Sequence, residues 1–132
     1  MGLDIGDRRI GVALSDPSGI LATPLDTINR TDDEADIAAI NQIIRQHQVG
    51  RVIIGLPRSM DGSIGSQAEK VKAFVEGLSS HIKVPMEFRD ERLSTVSAQR
   101  LMRDTKKTSQ KAGEDAVAAA VILQAYLDET RL

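Results

Sequence analysis

Three strand-like runs stand close together at the start of the chain, residues 2–6, 10–16 and 21–28, separated by turns of three and four residues. Turns this short join neighbouring antiparallel strands, because a parallel crossover needs about a dozen residues or more. In the second run Ile10, Val12 and Leu14 alternate with Gly11, Ala13 and Ser15, a period of two with one face of small residues. Pro24, inside the third run, assigns that strand to an edge, since proline cannot donate to a ladder on its closed side.

The pattern then changes to alternating helix and strand. Thr31 and Glu34 read as a capping box, followed by Ile37, Ile40 and Ile44 on one helical face. Arg51 to Leu56 is a compact strand, and Ser66 with Glu69 reads as a second capping box, opening a helix with Val71, Phe74, Val75 and Leu78 on its stripe. Residues 84–89 make a fifth strand, a helix is expected near Ser94, and a last helix runs from about Glu114 to Asp128. A three-stranded meander followed by helix–strand alternation means an α/β fold with a mixed sheet covered by helices. Right-handed crossovers then give a five-stranded order of 3-2-1-4-5, with Pro24 on the rim and the strand carrying Asp4 in the middle.

At 132 residues the chain reads as a single domain, 1–132, long enough to close one core. It has no cysteine, so thiolate metal sites and disulfides are excluded and a reducing, cytoplasmic location is expected. No apolar run has the length of a membrane span. The net charge of −2 argues against a non-specific nucleic-acid coat protein. With Phe74, Phe88 and Tyr126 as the only aromatic residues, base stacking is not the expected mode of recognition. A nucleic acid would be read through its backbone and shape.

Three acids stand out. Asp4 interrupts the run Met1-Gly2-Leu3-Asp4-Ile5-Gly6, where an ionised carboxylate is costly unless cations or donors compensate it. Bonds to the Asp7–Arg9 turn, or a pair with Arg8 or Arg9, would do so. A divalent metal at the middle of the sheet would do so too, and hard cations such as magnesium or manganese take oxygen ligands. Glu91 lies in Arg89-Asp90-Glu91-Arg92-Leu93-Ser94-Thr95, just past the fifth strand, where open α/β sheets bind ligands. Acids and arginines at such a junction are commonly solvated surface, and periodicity does not decide whether Asp90 or Glu91 faces inward. Asp115 sits in the first turn of the last helix, where an acid also complements the helix dipole. The run of small residues after it, Ala116 and Ala118 to Ala120, lets that helix start lie close to the sheet.

The loop after the fourth strand, Gly55 to Ser63 with Arg58, suits close approach to a phosphate. Arg100, Arg103, Lys106, Lys107 and Lys111 make the one basic stretch and lead into Asp115. A charge run is usually a solvated face, yet positive charge beside acids is what a phosphodiester substrate requires. Neither His47 nor His81 has a partner suggesting catalysis.

Taken together, Asp4-Ile5-Gly6-Asp7-Arg8-Arg9-Ile10-Gly11-Val12-Ala13, Val52 to Pro57 with Asp61-Gly62-Ser63, Asp90 to Thr95, and Asp115 to Ala119 resemble the YqgF/RuvX family. These are Holliday junction resolvase-like proteins also described as pre-16S rRNA nucleases. The resemblance runs nearly end to end. It implies an RNase H-like fold and a metal-dependent endonuclease trimming the 5′ side of precursor 16S rRNA, in the setting of ribosome biogenesis. The family's acids fall on Asp4, Glu91 and Asp115, as catalytic residues and ligands to Mg²⁺ or Mn²⁺. Two metals about 4 Å apart would stabilise the attacking and leaving oxygens. Arg8, Arg9, Arg58, Arg92, Ser94 and Thr95 would hold backbone phosphates, and ribosomal particles are candidate partners.

Three other readings compete. Branched DNA is the substrate of resolvases with this fold, and a resolvase would be expected to act as a symmetric dimer. A non-catalytic module binding RNA or the transcription machinery would keep the fold without the chemistry. Asp4-Ile5-Gly6 also suits a nucleotide-binding lobe of the actin and sugar-kinase type, but such proteins need two lobes.

Overall fold

A computed structural model describes residues 1–57, 65–90 and 113–130. Among these the elements run β1 (Gly2–Ile5), β2 (Arg9–Ser15), β3 (Ala22–Asn29), α1 (Asp33–His47), β4 (Val52–Leu56), α2 (Ser66–His81), β5 (Met86–Asp90) and α3 (Glu114–Thr130). The strands form one sheet in the order β3-β2-β1-β4-β5, the arrangement expected from the short turns and the later alternation. β1 to β3 pair antiparallel, whereas β4 lies parallel to β1 and β5 parallel to β4. Asp4 therefore sits on the central strand. Pro24 sits on edge strand β3, next to a bulge where the register shifts between Val12 and Ala13. The missing donor and the broken ladder coincide, so no bond is lost twice.

Strand periodicity divides the core between the two sheet faces. Leu3, Ile5, Ile10, Val12, Ile54 and Leu56 pack with Ile37, Ile40, Val71 and Leu78 of α1 and α2. Fully burying each large side chain of this set is worth about 1.5–3 kcal/mol. The other face carries Ala13, Ala22 and Ile53 beneath Ala119, Ala120, Leu123 and Leu127 of α3. Small residues there leave room for a helix backbone rather than for side chains. Buried Gln124 fixes the position of α3: its Oε1 accepts from Ala22 N at 2.9 Å and its Nε2 donates to the Ile20 carbonyl at 2.9 Å.

Both capping boxes are corrected. Asp32, not Thr31, caps α1 by accepting from Ala35 N at 2.8 Å. The Thr31 amide instead donates to Asp36. α2 is capped by Gly65 without a side-chain bond, so Ser66 is its first residue and not its cap. The helix expected near Ser94 lies outside the described residues.

Candidate metal and phosphodiester site

Alternation along β1 and β2 turns Leu3, Ile5, Ile10 and Val12 to the α1/α2 side, and therefore turns Asp4 and Gly11 to the side of α3. Asp4 is half-buried and lies directly opposite Gly11 in the β1–β2 register. Gly11 in turn lies opposite Thr27 on β3. The start of α3 runs over this row. A Cβ on Gly113 would be 3.0 Å from Thr27 Oγ1, and a Cβ on Gly11 would be 1.8 Å from the Asp115 carbonyl oxygen. Gly113 has φ +89°, a left-handed conformation that favours glycine, and this bend leads the chain into the helix. Asp4 and Asp115, from opposite ends of the chain, thus share one face at one place on the sheet.

Asp115 already has a cation beside it. Arg9 Nε donates to its Oδ2 at 2.7 Å, with the two side chains 54% and 31% exposed. Arg9, Thr27, Asn29, Glu114 and Asp115 border a cleft of about 330 Å³. A chain running along this cleft meets one guanidinium, three acids (Asp26, Glu114 and Asp115) and neutral polar groups.

On the other side of β1, Leu3 pairs with Ile54, and the next residue of β4 is Gly55, which pairs with Arg89 on β5. Asp90 pairs with Leu56, whose side chain belongs to the α1/α2 core. By strand register Asp90 is therefore on the face opposite Asp4. Arg89 is on the α3 side and forms an ion pair with Glu129.

The turn that follows Asp4 is held in part by Arg30 and Asp36, which the sequence did not single out. Gly6 N donates to the Arg9 carbonyl at 2.9 Å, closing the β1–β2 hairpin. Arg30 N donates to the Arg8 carbonyl at 2.9 Å, and Arg30 Nη1 donates to the Gly6 carbonyl at 2.9 Å. Arg30 Nε also donates to Asp36 Oδ2 at 3.1 Å, while its guanidinium carbon lies 4.7 Å from the Phe74 ring centroid. Asp36 is 2% exposed, so this buried carboxylate anchors the clamp that orients the Arg8–Arg9 turn. An arginine six residues before an acid is no motif. The signal available was an aspartate in register with the apolar helix stripe of Ile37, Ile40 and Ile44.

Among the described residues, no three His, Cys, Asp or Glu side chains group closely enough to hold a metal. Asp4 and Asp115 supply oxygen donors on one face, the chemistry that Mg²⁺ and Mn²⁺ accept, so the residues present fit a hard cation with further ligands from elsewhere. Glu91, Arg58, Arg92, Ser94 and Thr95 lie outside the described residues. No described helix is long and apolar enough to cross a membrane.

Comparison with known proteins agrees with this frame. The family described as RuvX, Holliday junction resolvase, matches residues 1–129. A relative from Dehalococcoides mccartyi, named "Putative pre-16S rRNA nuclease", is 52% identical over 126 residues, covering 96% of this chain and 95% of its own. One of the same name from Desulforamulus reducens is 48% identical over 130 residues, covering 97% and 95%. Among solved structures, Thermus thermophilus RuvC in complex with a Holliday junction substrate superposes with a TM-score of 0.67 at 11% identity, over 98% of this chain and 92% of that one. The Fowlpox virus resolvase with junction DNA gives 0.57 at 9% identity, over 98% and 96%. At such identities the likeness concerns the fold, which is RNase H-like. On the family match and the full-length similarity to these relatives, the chain belongs to the RuvX family.

Proposed function

We propose that this protein is a divalent-metal-dependent endonuclease that hydrolyses phosphodiester bonds in precursor 16S rRNA, acting in the cytoplasm on ribosomal precursors. The observation that carries the reading is the seating of Asp115 on Gly11, the cross-strand partner of Asp4. It supports the reading by bringing the Asp115 main chain, from a distant part of the sequence, over the cross-strand neighbour of Asp4. With Asp90 on the far face, Glu91 is the candidate third ligand. Asp4, Glu91 and Asp115 would hold Mg²⁺ or Mn²⁺, and the bound metal supplies Lewis-acid polarisation of the phosphoryl group and activation of water. The chain's own share is to bind and orient. Arg8 and Arg9, on a turn fixed by Arg30, present guanidinium groups to backbone phosphates, joined by Arg58, Arg92, Ser94 and Thr95. The choice of precursor rRNA rests on the names of relatives about half identical over nearly their full length. Branched DNA is supported by fold likeness alone.

The test incubates the protein with precursor 16S rRNA, a four-way DNA junction and plain single strands, with and without manganese, and maps the products. Manganese- or magnesium-dependent cuts on the 5′ side of the rRNA, lost in Asp4→Asn, are expected. Cleavage confined to the junction reassigns the substrate. RNA binding that is indifferent to chelators, with no cleavage, overturns the enzymatic reading.

A further inference from the structure

Arg9 and Asp115 each have a proposed partner outside the protein, a backbone phosphate for one and a metal for the other. In the structure they satisfy each other instead, at 2.7 Å. The guanidinium occupies Oδ2, one of the two oxygens through which Asp115 could bind a metal. The carboxylate occupies Nε, a donor that a phosphate would take. The two external roles therefore compete with the ion pair but are compatible with one another.

We propose that the Arg9–Asp115 pair is a latch that links metal loading to nucleic-acid binding. This rests on the reading of Asp115 as a metal ligand given above. A divalent cation entering beside Asp115 displaces Arg9. The freed guanidinium, on a side chain 54% exposed and bordering the cleft, is then available to a phosphate. A phosphate that draws Arg9 away likewise releases the carboxylate. By thermodynamic linkage each ligand raises the affinity for the other by the same factor. The Gly6–Arg9 hydrogen bond and the Arg30 clamp hold the backbone of the turn, so the exchange needs only side-chain rotation. The latch also keeps a cation near the acids when no metal is bound, offsetting carboxylate repulsion.

The test measures Mn²⁺ affinity by calorimetry without nucleic acid, in the unaltered protein, Arg9→Gln, Arg8→Gln and Asp115→Asn. Removing an exposed ion pair of this kind is expected to raise Mn²⁺ affinity roughly two- to fivefold in Arg9→Gln. Arg8→Gln, which removes the same charge from the same turn, sets the general field effect and is expected to give a smaller rise. Asp115→Asn is expected to weaken binding. In parallel, stopped-flow anisotropy of a labelled single-stranded RNA, read before cleavage, gives the gain in RNA affinity on adding Mn²⁺. That gain is expected to be smaller in Arg9→Gln than in the unaltered protein. Unchanged or weaker Mn²⁺ affinity in Arg9→Gln, or equal rises in both arginine variants, overturns the latch while leaving the metal site standing. Mn²⁺ binding that is absent, or indifferent to Asp115→Asn, overturns both.

Discussion

Gly11 and Asp115 touch through main chain alone: a Cβ on Gly11 would lie 1.8 Å from the Asp115 carbonyl oxygen and 2.8 Å from Ala116 N. No side-chain adjustment relieves such a clash, so Gly11→Ala must lift the start of α3 off the sheet. The cost is about 3 kcal/mol, the upper end for overpacking. Because the displaced segment carries Asp115, activity measured well below the melting transition falls by roughly 100-fold, as for other 1 Å misplacements. Gly2→Ala is the control. Its Cβ meets Ala119 O at 2.7 Å and Leu123 Cβ at 2.9 Å, further along α3, and should destabilise while sparing most activity. Urea denaturation with parallel nuclease assays separates the two. Full activity in a stably folded Gly11→Ala protein would show that the helix start does not position the chemistry.

Asp4→Asn should separate activity from stability in the opposite direction. The carboxylate shares a sheet face with Asp115, and its proposed purpose is to hold a metal rather than to stabilise the fold. Replacing it with an isosteric amide is expected to abolish metal-dependent cleavage. The melting temperature should be unchanged or raised, by up to about 1 kcal/mol of stability, as in other sites where function opposes stability. Calorimetry of both proteins in chelator is the measurement. A marked loss of stability would make Asp4 a structural residue.

The sheet was legible because the turns before β2 and β3 allow only antiparallel neighbours, and because Pro24 belongs on an edge. Asp4 was legible because a charge in a central apolar strand needs a reason. Other features depend on relationships that only folding creates. Asp90 could not be assigned a face until its pairing with Leu56 fixed the register of β5. The α1 cap slipped by one residue because Thr31 and Asp32 are both competent caps, and the buried Asp36 takes the Thr31 amide. From the sequence alone Arg9 suits a phosphate ligand or a partner for Asp4. Its bond to Asp115 requires α3 to cross β2 above Gly11, which no local pattern encodes.

The Arg30 clamp predicts a large stability effect at residues outside the proposed metal-ligand set. Arg30 donates to Asp36, Asp33 and the Gly6 carbonyl, and Asp36 is 2% exposed. Arg30→Ala strands a buried carboxylate and is expected to cost about 3 kcal/mol, the lower end for a broken buried pair because Arg30 is partly solvated. The double variant Arg30→Ala/Asp36→Ala should cost clearly less than the sum of the single changes, since the second removes the charge left unpaired by the first. Denaturation of the four proteins closes the cycle. Additive losses would mean that the two residues act independently and that Asp36 has other compensation.

Asp16, at the β2–β3 turn, supplies a pH signature. Its carboxylate accepts from Ser18 Oγ at 2.6 Å, Ile20 N at 2.7 Å and Leu21 N at 3.0 Å. The Ser18 hydroxyl first, then the Leu21 and Ile20 amides, hold its pKa below the ordinary value of 3.8, because all three bonds favour the ionised form. A depressed folded-state pKa means that the unfolded chain binds the proton more readily. The contribution of Asp16 is therefore complete above the unfolded pKa of 3.8 and is lost as pH falls through the folded value. Asp16→Asn should lower the melting temperature at neutral pH, and the gap from the unaltered protein should narrow as pH drops below 3.8. Ser18→Ala should move the carboxyl titration, followed by carbon NMR, upward toward the ordinary value. A gap that stays constant across this range would mean that these bonds do not depend on ionisation.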